Sequence, residues 1–84
     1  SLDQNYPNPF NPQTTISFSL ATPSQVKLEI LNSAGQCIQN ILNEHRSAGK
    51  HAISFDASQL ATGLYFYRLA SATGVIVKKM ICIH

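Results

Sequence analysis

The chain has no tryptophan, one methionine and two cysteines, and of its 84 residues six are basic and four acidic. Each shortage excludes something. Without tryptophan, a sugar-stacking platform must rest on tyrosines. The two cysteines, Cys37 and Cys82, allow one disulfide at most; their spacing matches no metal or redox motif, and they read as two unpaired thiols. The net charge of +2 comes from scattered cations with one adjacent pair, Lys78-Lys79, which supplies no basic stripe for nucleic acid. No apolar run approaches the roughly 20 residues of a membrane span. The start, Ser1-Leu2-Asp3-Gln4, has neither the basic nor the apolar region of a signal peptide, so Ser1 reads as a boundary or processing point within a longer chain.

Chemistry is sparse as well. Asp3, Glu29, Glu44 and Asp56 fall in four different elements, and His45, His51 and His84 do not share metal-ligand spacing. There is no nucleophile elbow and no phosphate-binding glycine loop. His51 has the parity of Ile53 and Phe55, which makes it a structural histidine at a sheet margin. No catalytic residue, metal or cofactor is expected, and the chain is not an enzyme by itself.

What the sequence does hold is concentrated at its start, in Gln4-Asn5-Tyr6-Pro7-Asn8-Pro9-Phe10-Asn11-Pro12. Each proline removes a backbone donor, so this stretch is neither helix nor central strand. Residues before proline are pushed toward extended geometry, and Asn11-Pro12 starts a turn. A stiff extended lead-in follows, with Tyr6 and Phe10 on one side and Phe10 as the anchor into the core.

Beyond Pro12 the pattern has period two. Thr15 to Leu20 places Ile16, Phe18 and Leu20 inward, and Gln25 to Leu31 places Val26, Leu28 and Ile30 inward with Lys27 and Glu29 toward water. Gly35 supplies the positive φ of a tight hairpin. Gln36 to Leu42 puts Ile38 inward, but adjacent Ile41 and Leu42 demand a bulge or strand end near Asn40. Lys50 to Phe55 follows, and Asp56 caps a single turn with Leu60 tucked beneath. Leu64 to Ala70 is apolar on both faces, and Val75 to Ile83 forms a last strand. Leu60-Ala61-Thr62-Gly63-Leu64-Tyr65 resembles a tyrosine corner. These signals predict one all-β domain over 1–84, an immunoglobulin-like β-sandwich of about seven antiparallel strands. In it, 1–13 is the proline-rich lead-in and seventh edge element, and 14–84 the sandwich.

The opening motif, followed by Thr14-Thr15-Ile16-Ser17-Phe18, resembles the type A C-terminal sorting domain of type IX secretion cargo, the Por secretion system of Bacteroidetes and related phyla. The resemblance continues through Val26 to Ile30, Asn32 to Gln36, Ala48 to His51, Phe55 to Leu60, Gly63 to Leu69 and Lys78-Lys79-Met80. It implies a sandwich appended to an N-terminal cargo domain. The cargo would pass by way of the periplasm, the outer-membrane translocon would recognise the sorting domain, and a sortase-like protease would remove it. The protein would be secreted or at the cell surface. The family pattern falls on Asn5, Pro7, Pro9, Phe10, Asn11, Pro12, Gly35, Gly63, Tyr65 and Lys79. Lys79 breaks an apolar last strand and is expected to be presented to the translocon. Cys82 departs from the usual aliphatic residue, and His84 from a terminal cation. Two other readings stand beside this one: self-association or surface attachment through the last strand, with its Ile81-Cys82-Ile83 end, and sugar binding by Tyr65 and Tyr67.

Overall fold

The structure, a computed structural model, describes residues 1–10 and 12–83. It has six strands among them: β1 (Gln13–Leu20), β2 (Ser24–Leu31), β3 (Cys37–Arg46), β4 (Gly49–Asp56), β5 (Gly63–Ser71) and β6 (Gly74–Cys82). All ladders are antiparallel. β1 pairs with β4 in one sheet, and the other runs β3-β2-β5-β6. The architecture is all-β and compatible with an immunoglobulin-like sandwich, with six strands rather than seven. The proline segment, expected as the seventh, instead makes isolated bridges: Leu2 to Phe18, Tyr6 to Thr15 and Phe10 to Cys82. It lacks the run of consecutive donors a ladder needs.

The inward-facing positions follow the alternation. Ile16, Phe18, Leu20, Val26, Leu28 and Ile30 are all buried, joined by Phe55, Tyr67, Leu69 and Met80. The Asp56 turn forms as expected: Asp56 Oδ1 accepts from Ser58 N at 2.8 Å, and Leu60 packs on the core. Gly35 sits at φ 85°, a backbone conformation that disfavours any side chain although a Cβ there has open space around it.

Two side chains, one on β3 and one on β2, depart from the alternation. In β3, Leu28 faces Leu42 and Glu29 faces Asn40, which leaves Ile41 as the bulged residue next to Asn40. A second shift, from Gln39 to Cys37, leaves Ile38 out of register and 42% exposed rather than inward. Glu29, expected toward water, is 5% exposed because Arg68 on the neighbouring strand lies over it. Arg68 donates from Nη2 at 2.7 Å and Nε at 3.1 Å to Glu29 Oε1, and Lys27 Nζ stands 3.6 Å from Oε2.

Cys37 and Cys82 are not bridged. They sit on opposite edge strands, three strand spacings apart, roughly 14 Å, where a disulfide needs Cα atoms within about 7 Å.

The Arg68 hydrogen bonds hold the Glu29 carboxyl below its ordinary value of 4.5, against the opposing effect of burial. A depressed carboxyl contributes stability above its unfolded value that is lost as pH falls through the folded one. Urea midpoints should therefore drop below about pH 4.5, and Glu29→Gln should flatten that drop. Arg68→Ala should cost about 2 kcal/mol at neutral pH by leaving a charged acceptor half-satisfied.

Candidate functional site: the proline segment seated on the last strand

The amino-terminal residues run along β1 and then cross to β6, touching the margins of both sheets. Against β1 the bonds are backbone to backbone. Asp3 N donates to Ser17 O at 2.9 Å, Tyr6 N to Thr15 O at 3.0 Å, Thr15 N to Tyr6 O at 2.9 Å and Ser19 N to Ser1 O at 2.9 Å. Against β6, where prolines have removed donors, side chains replace them. Gln4 Nε2 donates to Lys79 O at 2.7 Å, and Asn8 Oδ1 accepts from Ile81 N at 2.9 Å. Phe10 alone supplies two backbone bonds, its N to Ile81 O at 3.1 Å and its O from Ile83 N at 3.0 Å.

Asn5 organises the crossing. It is 2% exposed, and its Nδ2 donates to Pro7 O at 3.1 Å and Thr14 Oγ1 at 3.0 Å. Thr14 Oγ1 in turn donates to Pro7 O at 2.8 Å, and Gln4 Nε2 donates to Asn5 Oδ1 at 2.7 Å. A buried amide needs such partners, and an aspartate here could not donate. From β5, the Tyr67 hydroxyl donates to Asp3 O at 2.7 Å and accepts from Asn5 N at 2.8 Å. Tyr67 is fully buried, and that burial pushes its hydroxyl above the ordinary tyrosine value.

The expected geometry of the segment changes in one respect. Residues 7–9 form bends, and the Tyr6-Pro7 and Asn8-Pro9 bonds are cis, so it is not a straight extended rod. Two-residue parity does not carry through the bends. Tyr6 ends 81% exposed while Phe10 is 1% exposed, edge-on to Phe55 at 6.3 Å. Phe10 is thus the core anchor, without Tyr6 beside it.

Of the motif positions, Asn5, Pro7, Phe10, Gly63 and Lys79 gather at this corner. Gly63 and Phe10 flank Cys82 from either side, and Pro12 O accepts from Ala57 N at 2.9 Å. Pro9 is exposed within the bends. Tyr65 forms the corner, its hydroxyl donating to Ala61 O at 2.7 Å. Gly35 lies in the turn before β3, on the opposite edge of the sheet. Asn11 and His84 fall outside the described residues. Lys79 is exposed on the outer face, opposite Phe66.

The geometry removes one other expectation and narrows a second. Tyr65 and Tyr67, the tyrosines of a sugar platform, face the core at 9% and 0% exposure. The Ile81 to Ile83 end of the last strand, expected as an uncovered pairing template, is occupied by Asn8 and Phe10. Gln4, Asn8, Thr14 and Tyr67 were missed as participants. A tyrosine on the core face of a central strand must find a partner for its hydroxyl, which was the available signal.

Elsewhere, a half-open groove of about 410 Å³ runs past Asp3, Ser17, Ser19, Lys50 and His51. His51 Nε2 lies 2.8 Å from Ser47 O, and its ring stacks on Phe18 at 5.1 Å, a structural arrangement. Among the described residues no group of three or more His, Cys, Asp or Glu could hold a metal, and no helix is long and apolar enough to cross a membrane.

Tyr67→Phe should cost about 2 kcal/mol in urea denaturation, because Asn5 N–H stays buried without its acceptor, and should speed hydrogen exchange at Asn5. A raised hydroxyl contributes stability that is full below about pH 10 and lost as pH rises through its folded value, so the variant should also lose the alkaline part of the stability profile. Phe10→Ala should cost about 3 kcal/mol and loosen the segment, read as faster exchange at Ile83.

Comparison with known proteins follows the same outline. Neither the curated proteins nor the solved structures contain a match to this chain. A family model described as "Secretion system C-terminal sorting domain" matches residues 4–83, from the glutamine that reaches Lys79 to the residue that closes on Phe10. The match spans nearly the whole chain and takes in both partners of the seat. With Gln4, Asn8 and Phe10 of its proline segment seated on the last strand, this chain belongs to the family of type IX secretion C-terminal sorting domains.

Proposed function

We propose that the chain is a folded sorting signal which directs an N-terminal cargo, by way of the periplasm, through the outer-membrane translocon to the surface or medium. The observation that carries this reading is the family match across residues 4–83. The family is one of sorting signals rather than enzymes, and its members belong to secreted or surface proteins. The arrangement of the proline segment supports recognition of a folded shape instead of a linear peptide. Asn5, Pro7 and Phe10 are spent largely on holding the segment to the sandwich, so the motif acts through the surface it builds. Pro9, Asn11, Pro12, Gly35, Gly63 and Tyr65 enter this proposal as further positions of the family pattern.

Lys79 is the residue presented. It is exposed, takes part in no ion pair among the described residues, and stands amid Phe66, Val77 and Ile81 on the outer face of the sheet. A cation in an apolar surround is a recognisable feature for a partner bearing one well-placed acceptor. The translocon is the reader in this scheme, and a sortase-like protease acts on the domain after passage.

A fusion of residues 1–84 behind an exported reporter should place the reporter on the surface of a host with type IX secretion. Lys79→Gln should lower surface reporter about fivefold while leaving the thermal midpoint within a degree or so, since it removes a contact worth about 1 kcal/mol and no core packing. Reporter held in the periplasm with the wild-type domain folded would count against the proposal.

A further inference from the structure

We infer that the open half of β6 is a strand-addition site for an extended segment carrying carboxylates. The outward backbone groups of this edge belong to its odd-numbered residues. Lys79 O, both groups of Ile81, and Ile83 N are already taken by Gln4, Asn8 and Phe10. The β5–β6 register runs without a shift, so the same parity turns the N–H and C=O of Val75 and Val77 outward. Among the described residues nothing bonds to them. Val75, Ile76 and Val77 are 61%, 40% and 49% exposed. Three successive exposed β-branched residues on an edge with open backbone form a template for another strand.

The charge around that template selects the partner. Lys78 and Lys79 follow directly, and neither is in an ion pair among the described residues. The buried acid of the sheet, Glu29, is already committed to Arg68 and Lys27. A second copy pairing β6 with β6 would bring four lysines together, which is how edge lysines oppose self-pairing. A strand with glutamate or aspartate at alternate positions sets its carboxylates on one face, and on the outer face, where Lys79 lies, it converts that repulsion into attraction. A strand that extends past Val77 also competes with Gln4 for the Lys79 carbonyl. Gln4 is tied to Asn5, so occupancy of the edge is coupled to the seat of the proline segment.

This deepens the sorting proposal and rests on it for the source of the partner, since it names the chemistry that the secretion machinery would offer. The test is a titration of the 84-residue chain, followed by amide chemical shifts, with a short peptide alternating glutamate and valine and with its lysine-for-glutamate counterpart. The acidic peptide should shift Val75, Val77 and the Gln4 side-chain amide, and should bind about two- to fivefold more weakly to Lys79→Gln. Val77→Pro deletes one outward donor and keeps the β5 side intact, so it should abolish binding; an unchanged Asn5 amide shift reports that it folds. If it does not fold, the two peptides on the unsubstituted chain still decide the matter. Equal binding of both peptides, no shift with millimolar peptide, or a peptide-free dimer formed through the same amides would overturn the inference. A chain that ignores the peptide yet exports the reporter loses this site alone. One that binds the peptide but fails to export loses the sorting proposal instead.

Discussion

The hydroxyl of Tyr67 holds the two ends of the architecture to each other. It gives its proton to Asp3 O and takes one from Asn5 N, from a side chain that is itself fully buried on a central strand. The side-chain bonds of the crossing build on this one. With Asn5 placed, its amide can reach Pro7 and Thr14, and Gln4 can span from Asn5 to Lys79. The chain then arrives at β6 with Phe10 aimed into the core. Prolines suit the path because donors there would face no ladder partner, and the asparagine and glutamine amides supply the bonds the prolines withhold.

Strand order in the chain and the inward faces of β1, β2 and β4 could be read in advance, because period-two alternation survives wherever one face is buried; β5, apolar on both faces, gave no such sign. The tyrosine corner and the Asp56 cap were legible for a similar reason: each is a bond between residues close in sequence. The misjudged residues share the opposite property. Glu29 is buried by an arginine 39 residues away, and Tyr67 binds atoms more than 60 residues upstream. Neither separation leaves a local trace. Ile38 failed differently, since two bulges in one strand shift parity twice and only the first was signalled, by Ile41 beside Leu42. Of the candidate site, the anchoring role of Phe10 was visible, whereas the seat on β6 required knowing which strand lay at the edge.

In the reading proposed above, the sorting signal is a surface rather than a string. The motif prolines and asparagines lie in the segment, but what they expose is a corner where Tyr6, the bends of residues 7–9 and Lys79 meet solvent. Family membership and this geometry agree in one respect. The matched residues run from one side of the seat to the other, so the match takes in the closure and not the proline motif alone.

The bonds between Phe10 and the strand end at Ile81 and Ile83 also order events in time. A ribosome makes Phe10 before its seat, with five strands and most of β6 between. Until residue 83 has emerged, the first segment has β1 to lie against but no β6 edge to grip, and Phe10 stays in water. Closing so long a loop is slow compared with forming hairpins. The seated segment therefore reports closure across the whole fold: a chain lacking residues 81–83 can form most of its sheets and still lack the corner.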